Sequence, residues 1–269
     1  IAFKSSCFSI NPGYILTHMN KNNILITGAK GQLGRTLEHY WSDSGLARNN
    51  ELNLYDIGRL DLTVAGSVEK ELNSLKPRTI LNTAAYTSVD EAETDQDAAF
   101  AINASAVATL AGWVANNDCF MVHISTDFVF DGSKSVPYLP TDNACPLSVY
   151  GSSKLAGEAA LQTLLPDRHT TIRTSWLYSE YGKNFVQTML RLMKQKDELG
   201  VVADQVGSPT STHSLVALLL RMLVQGIKPG TYHWTDGASV SWYEFAKAIQ
   251  REAIDQGLLK GKIPIKPLT

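Results

Sequence analysis

The chain has 269 residues, of which 44% are hydrophobic and 19% charged, and its formal net charge is −2. A chain of this length buries a substantial core, as one domain with a smaller lobe or as two domains. The near-neutral charge, without a long basic run, argues against a nucleic-acid partner, and we find no apolar run of 18 residues that would span a membrane.

The first residues of the chain do not fit the pattern that follows. Residues 1–18 lack the basic start and apolar core of a signal peptide, and Met19 lies just before the first predicted strand. We therefore expect residues 1–18 to be a mobile leader or an artefact of cloning. The three cysteines are widely spaced, which argues against a disulfide framework and for a reducing, cytoplasmic location. No histidine spacing is typical of a metal site, so no metal is expected.

A glycine-rich loop follows the first predicted strand, Asn23–Thr27, and precedes a helix that we expect from Leu33 to Tyr40. This strand–loop–helix order is typical of a dinucleotide site. Gly28 permits a tight turn, Gly31 lets a pyrophosphate approach the backbone, and Gly34 lets the helix pack closely. The phosphates would bind the free N–H groups at the helix N-terminus. A plain connecting loop is the alternative.

An acidic residue is expected about 20 residues further on, at the end of the second strand. The stretch Glu51–Asp56 supplies it, and Asp56 is placed to accept hydrogen bonds from the adenosine ribose. Arg59 is placed to bind a 2′-phosphate instead, so the choice between NADH and NADPH stays open. Asp61 and Leu62 are expected beside the adenine, and ordinary loop carboxylates are the alternative for both acids.

Strands and helices alternate through most of the chain, which predicts an α/β fold with a Rossmann-type, doubly wound parallel sheet. Polar or small residues follow the strand ends, so we expect one shared site at the carboxyl edge of the sheet. The further strands are predicted at Thr79–Ala85, Cys119–Ser125 and Thr170–Trp176, and the helices at Ala98–Asn116 and Tyr150–Leu165.

The pattern changes near residue 173, and we predict a Rossmann domain over residues 19–172. Residues 173–269 are expected to form mainly a smaller, mixed α/β substrate-binding lobe, partly interleaved with the first domain. Its predicted elements are a helix at Asn184–Lys194, a polar turn at Asp204–Thr210, a helix at Ser214–Val224, a strand at Thr231–Trp234 and a helix at Trp242–Gly257.

Tyr150 and Lys154 are four residues apart on a predicted helix, so they share one face. Two solvated side chains are the ordinary interpretation of such a spacing. Downstream of a dinucleotide loop it instead indicates a reductase, in which a nearby ammonium lowers the pKa of the phenol and makes it a general acid. Ser125 or Thr126, at the end of the preceding strand, would bind the substrate carbonyl oxygen, with a strand-end cap as the alternative.

These features occur in an order that resembles the extended short-chain dehydrogenase/reductase superfamily. The narrower motifs are similar to those of the dTDP-4-dehydrorhamnose reductase family, over about residues 22–240. They read NTAAYTSVD from Asn82, STDFVFDG from Ser125, YGSSKLAGE from Tyr150, RTSW from Arg173 and DQVGSPT from Asp204.

The resemblance implies reduction of the C4 ketone of dTDP-4-dehydro-L-rhamnose, a nucleotide-sugar substrate, with NADPH or NADH for cell-surface polysaccharide synthesis. It implies that Thr126 is the catalytic hydroxyl, Tyr150 the proton donor and Lys154 its partner. Asp127 and Trp176 would contact the substrate, and Tyr150 and Lys154 also the cofactor. The remaining implied cofactor contacts are Gly31, Gln32, Leu33, Asp56, Asp61, Leu62, Ala84, Ala85 and Tyr86.

The chain departs from the family pattern in two places. Thr36 stands where some members carry a metal-binding acid at a dimer contact, so a possible homodimer would lack that metal bridge. The chain ends at Thr269, before the Pro-rich, Arg-containing segment and final helix that the resemblance leads us to expect. Two other functions stay open: another nucleotide-sugar epimerase or dehydratase, and a non-catalytic regulatory subunit such as that of methionine adenosyltransferase.

Overall fold

The computed structural model describes residues 22–269, so the predicted leader at residues 1–18 lies outside the described residues. The strands are β1 Asn22–Thr27, β2 Asn50–Tyr55, β3 Thr79–Asn82, β4 Phe120–Thr126, β5 His169–Thr174, β6 Leu177–Tyr178, β7 Leu199–Val202, β8 Val206–Gly207, β9 Thr210–Ser211, β10 Gly230–His233, β11 Val240–Ser241 and β12 Ile265–Leu268. The α-helices are α1 Gln32–Trp41, α2 Ala65–Leu75, α3 Val89–Ala92, α4 Gln96–Ala115, α5 Val149–Leu164, α6 Phe185–Gln195, α7 Thr212–Gln225 and α8 Trp242–Asp255.

Six strands form a central sheet in the order β10-β5-β4-β3-β1-β2, and every neighbouring pair is parallel. The predicted doubly wound, Rossmann-type sheet is therefore confirmed. The strand order reverses at β1, which lies between β2 and β3. Ligands of such sheets bind at this switch point, outside the carboxyl ends of the strands.

Both faces of the sheet are buried, which explains the nearly continuous apolar runs in its strands. Leu25, Ile80 and Met121 point to one face, where α2, α4 and α5 cover them. The intervening residues, such as Ile26 and Leu81, point to the other face, under α1 and α7. Because side chains alternate between the two faces, every second residue of a strand faces the side covered by α5, the helix that carries Tyr150 and Lys154.

Residues 173–269 contribute both to the central sheet and to the smaller lobe. The strand predicted at Thr231–Trp234 is β10, which pairs with β5 as an edge strand of the central sheet. The lobe has its own apolar core between α6, α8 and β7, with Met189, Val201 and Ala246 at its centre. The division at residue 172 stays a prediction about organisation.

Helix α4 has a local irregularity that was not predicted. It begins at Gln96 and contains a π-helical turn at Ala101–Ser105, a feature often found near functional sites. By length and mean composition this helix is apolar enough to cross a membrane, although polar residues such as Asn103 and Thr109 interrupt its apolar sequence. In the fold its residues Val107, Leu110 and Val114 are buried in the core against the sheet.

Several elements were not predicted from the sequence. Helix α2 was missed, and the polar turn at 204–210 holds the short strands β8 and β9. The parallel pair of β7 and β12 was also missed, because its two strands are more than 60 residues apart in the chain.

Candidate active site

A cavity of about 1090 Å³ opens at the carboxyl ends of β1 to β5, where the sequence predicts one shared site. The wall is formed by the glycine loop, the loops after β2 and β3, the end of β4, the start of α5 and part of the lobe. The cavity lining includes Gly28, Gly31, Gln32, Leu33, Asp56, Asp61, Leu62, Ala84, Ala85, Tyr86, Thr126, Asp127, Tyr150, Lys154 and Trp176.

The glycine loop brings its backbone close to the neighbouring strand end. Gly28 has φ +71°, and a Cβ there would lie 2.7 Å from the Ala84 amide nitrogen, so only glycine fits. A Cβ at Gly34 would lie 2.5 Å from the Ala29 carbonyl oxygen. Gly31 caps α1 without a side-chain hydrogen bond, which leaves the first N–H groups of the helix free for an anion.

The side chain of Gln32 makes hydrogen bonds that the sequence did not predict. Its side-chain oxygen accepts hydrogen bonds from the Ser179 hydroxyl and the Asn184 amide, each at 2.9 Å. These hydrogen bonds connect the start of α1 to the lobe, where Asn184 directly precedes α6. The backbone N–H of Gln32 remains in the row of helix N-terminal donors.

Asp56 lines the cavity. A cation that was not predicted lies beside its carboxylate. The Lys30 ammonium lies 2.7 Å from the Asp56 carboxylate, and this hydrogen bond is the main reason why the pKa of Asp56 is lowered. Lys30 stands between the first two glycines of the motif, so a signal for it was present in the sequence. Its side chain is 83% exposed, and Lys30 lines the same cavity as Asp56.

Arg59, the predicted 2′-phosphate partner, is directed elsewhere. Its guanidinium lies 3.9 Å from the centre of the Tyr55 ring and donates to the Tyr55 hydroxyl at 2.9 Å. The same hydroxyl donates to Glu71 at 2.5 Å. Arg59 does not line the cavity. Lys30 therefore replaces it as the candidate residue that distinguishes NADPH from NADH.

The remaining predicted cofactor residues also line the cavity, except Gly34, and their role in binding a cofactor stays a prediction. Asp61 accepts from the backbone N–H and the hydroxyl of Thr63, at 2.9 and 2.7 Å, which lowers its pKa. Ala84, Ala85 and Tyr86 follow β3. Tyr86 is held through its backbone by Asn103, which accepts from its N–H and donates to its carbonyl oxygen, both at 3.0 Å. Asn103 lies in the π-helical turn of α4 and was missed from the sequence.

The structure distinguishes the two hydroxyls at the end of β4. Ser125 donates to the buried Glu158 carboxylate at 2.5 Å, so its hydroxyl is already used. The Thr126 hydroxyl contacts the Asp127 carboxylate and accepts from the Phe128 N–H, both at 3.2 Å. Thr126 therefore has the predicted capping role as well, and its hydroxyl is the one beside Tyr150.

Lys154 is a buried side chain, with 2% of its surface exposed, which excludes a solvated Tyr–Lys pair. Its ammonium contacts the His123 ring nitrogen Nε2 at 3.2 Å and donates to the Ile124 carbonyl oxygen at 2.7 Å. Burial lowers its pKa to about 8, an effect that the Glu158 carboxylate opposes.

Tyr150 does not show the lowered pKa that the sequence led us to expect. Burial raises it to about 12, the Thr126 hydroxyl opposes this rise, and the Asp127 carboxylate adds to it. The prediction considered nearby positive charges, those of the ammonium and of the oxidised nicotinamide, whereas burial of the phenol has the largest effect on its pKa here. Tyr150 is thus fully protonated at neutral pH, which is the state that a proton donor needs.

Asp127 and Trp176 face the same space as Thr126 and Tyr150. Burial raises the pKa of Asp127 to about 6, although hydrogen bonds from Thr126 and the backbone oppose this. Trp176 has the unusual φ of +47° and stacks on Trp242, with ring centroids 3.4 Å apart. Trp242, the first residue of α8, also lines the cavity, so two stacked aromatic rings lie at this place in its wall.

Thr36 is turned into the protein. Its hydroxyl donates to the Gln32 carbonyl oxygen at 2.9 Å and lies 2.8 Å from the hydroxyl of Thr212, the first residue of α7. Within residues 22–269, no group of three or more His, Cys, Asp or Glu side chains is arranged to hold a metal ion. The homodimer stays a prediction.

Comparison with known proteins agrees with this geometry. The family model described as the RmlD substrate binding domain matches residues 22–267. The dTDP-4-dehydrorhamnose reductase of Aggregatibacter actinomycetemcomitans is 44% identical over 251 residues, which are 91% of this chain and 84% of the relative.

Two solved structures of enzymes with the same name superpose closely. The one from Clostridium acetobutylicum ATCC 824 has a TM-score of 0.84 and 40% identity, over 92% of this chain and 84% of that one. The one from Bacillus anthracis str. Ames, in complex with NADP, has a TM-score of 0.86 and 37% identity, over 93% and 85%. This chain therefore belongs to the RmlD family, that of the dTDP-4-dehydrorhamnose reductases.

Proposed function

We propose that this protein reduces the C4 ketone of dTDP-4-dehydro-L-rhamnose to give dTDP-L-rhamnose, with NADPH or NADH as the reductant. The observation that carries the proposal is the meeting of Thr126, Tyr150 and Lys154 in the cavity that the glycine loop also lines. Membership of the reductase family supports the same reaction. We place the reaction in the cytoplasm, where it would supply an activated sugar for cell-surface polysaccharides.

The residues present fit a dinucleotide. The loop at Gly28 passes so close to Ala84 that any side chain would clash, and the start of α1 offers uncapped N–H groups to a pyrophosphate. Asp56 and Asp61 would accept hydrogen bonds from the adenosine, and Lys154 would hold the nicotinamide ribose. When bound, the reduced nicotinamide supplies the hydride.

Tyr150 and Thr126 would act on the ketone oxygen. Both hydroxyls would donate to it, which orients the carbonyl and stabilises the negative charge that develops on the oxygen. Tyr150 then gives its proton to that oxygen. A pKa of about 12 still allows this transfer, because the alkoxide formed from the ketone is more basic than a phenolate. The buried ammonium of Lys154 stabilises the phenolate that remains.

Asp127 and the two stacked tryptophans would bind the sugar. The carboxylate of Asp127 accepts hydrogen bonds from ring hydroxyls, and Trp176 offers a flat apolar wall to a deoxysugar. The next residue, Phe128, packs edge-on against Tyr150 with ring centroids 5.6 Å apart. An aromatic ring therefore occupies the position where related dehydratases tend to place a second acid, which favours simple reduction.

A coenzyme-oxidation assay tests the proposal. The protein should oxidise NADPH or NADH in the presence of dTDP-4-dehydro-L-rhamnose, with one coenzyme consumed for each dTDP-L-rhamnose formed. Sugar conversion without net coenzyme consumption would instead indicate an epimerase or dehydratase. No conversion by a folded protein that binds coenzyme would favour the regulatory subunit.

A further inference from the structure

A row of buried polar residues crosses the central sheet beneath the active site. In the strand register, Thr27 of β1 pairs with Asn82 of β3, Asn82 pairs with His123 of β4, and His123 pairs with Thr171 of β5. All four are no more than 1% exposed, and all face the α5 side of the sheet. Two residues earlier in each strand, the side chains on this face are mostly apolar. Packing of the sheet against α5 therefore does not by itself require a polar row here.

Hydrogen bonds join Thr27, Asn82 and His123 of this row and end at Lys154, whereas the Thr171 hydroxyl has no hydrogen-bond partner among the described residues. Thr27 Oγ1 lies 2.6 Å from Asn82 Oδ1, and Asn82 Nδ2 lies 2.9 Å from His123 Nδ1. The other ring nitrogen of His123, Nε2, lies 3.2 Å from the Lys154 ammonium. The row thus links the strand end that carries the glycine loop with the side chain that would hold the nicotinamide ribose.

We propose that His123 is a positioning residue for Lys154: its unprotonated Nε2 accepts a hydrogen bond from the ammonium and fixes the direction of that side chain. This inference rests on the proposed function, since it assigns to His123 a role in the same reaction. The Ile124 carbonyl oxygen, 2.7 Å from Nζ, is the second fixed acceptor. With two acceptors at set positions, the ammonium keeps one orientation towards the cavity.

The surroundings favour a fixed acceptor over a proton relay. His123 and Asn82 are outside the cavity lining and fully buried, so protons from His123 have no path to solvent through Asn82. Burial and the neighbouring charges of Lys154 and His169 lower the pKa of His123 well below its ordinary value, which keeps the ring neutral. A neutral ring that accepts at Nε2 carries its proton on Nδ1.

That proton requires an acceptor on Asn82. The two ends of a side-chain amide are exchanged by a half-turn, and their assignment follows from the hydrogen-bond network. With Oδ1 towards His123 and Nδ2 towards Thr27, every contact of the row has one donor and one acceptor. The Nδ1–H form of His123 is therefore part of the proposal, and it is open to direct measurement.

Two amide substitutions separate the nitrogens of His123. In His123→Gln the side chain reaches the position of Nε2 and still accepts from Lys154, whereas in His123→Asn it reaches only the position of Nδ1. We expect His123→Asn to weaken NADPH binding and lower kcat/KM, each by about 10- to 100-fold, because small displacements of a positioning group are costly. His123→Gln should retain most of the parent's activity and affinity.

The pH profile gives a readout that a purely structural role would not change. Loss of the acceptor disfavours the ammonium form of Lys154, so the fall in activity at alkaline pH should begin at lower pH in His123→Asn than in His123→Gln. The titratable and charged groups around this pair are Tyr150 and Glu158 on α5, Asp127 after β4, and His169 and Arg173 on β5. All of them are unchanged in both variants.

Three outcomes decide the matter. Equal losses in the two variants, or equal activity and equal pH profiles, would overturn the proposal. Nitrogen NMR of the unaltered protein below pH 7 should show His123 with its proton on Nδ1, and a proton on Nε2 would overturn it without any variant that must fold. NADPH affinity is measured without sugar, so a failure of the proposed sugar reaction leaves this part of the test intact.

Discussion

The buried ammonium of Lys154 makes the stability of the fold depend on pH in a way that one substitution removes. Burial lowers its pKa from the ordinary 10.5 to about 8, whereas unfolding restores the ordinary value. At 1.36 kcal/mol per pH unit, this difference corresponds to roughly 3 kcal/mol. Between these two pH values the unfolded chain holds the proton and the folded protein does not. The free energy of unfolding should therefore rise by up to about 3 kcal/mol from pH 8 to pH 10.5.

Lys154→Met removes this contribution, because the variant has no proton to release at this position. Urea denaturation at intervals between about pH 7.5 and about pH 10.5 should show the parent gaining stability relative to the variant across that range. Lys30→Met is the matched control, since the Lys30 side chain is 83% exposed, and it should follow the parent. Parallel curves for the parent and Lys154→Met would refute the reasoning. The variant should also lose coenzyme affinity and turnover together.

Three further substitutions test the roles of single groups. Tyr150→Phe should lower kcat by about 10²- to 10⁴-fold while coenzyme binding and folding persist, and activity within a few-fold of the parent would exclude Tyr150 as the acid. Thr126→Val should lower kcat by about 100-fold or more. Ser125→Ala should instead lower the free energy of unfolding by about 1–3 kcal/mol, and a larger loss of kcat for Ser125→Ala would reverse the assignment. Lys30→Ala should shift the kcat/KM ratio towards NADH by up to about fivefold, since exposed ion pairs contribute up to about 1 kcal/mol, whereas an equal shift in Arg59→Ala would contradict the structure.

The sheet and the place of the site follow from local patterns in the sequence. Short apolar runs alternate with helical periodicity, and this order specifies a parallel sheet with helices on both faces. Because the carboxyl ends of parallel strands meet at one edge, Gly28, Asp56 and Thr126 had to lie together. The sequence was less informative about β10, because pairing with β5 joins residues about 60 positions apart.

The directions of side chains and their burial are set by tertiary packing, and these predictions failed more often. Arg59 had the right charge near the right strand end, but the Tyr55 ring and hydroxyl hold it away from the cavity. Lys30 was overlooked although it stands within the glycine motif. The pKa of Tyr150 was expected to fall because of its charged neighbour, whereas the enclosure of the phenol, which no local pattern reveals, raises it to about 12.

The central claim, hydride transfer from the coenzyme to C4 of the sugar, is tested most directly with NADPH that carries deuterium at the transferable position of its nicotinamide. The product formed from dTDP-4-dehydro-L-rhamnose should contain one deuterium, located at C4 by NMR, for each coenzyme oxidised. The same experiment with Tyr150→Phe should give the same labelled product at a much lower rate. A sugar product without deuterium at C4, or with no net oxidation of the coenzyme, would contradict the assignment as a C4 reductase.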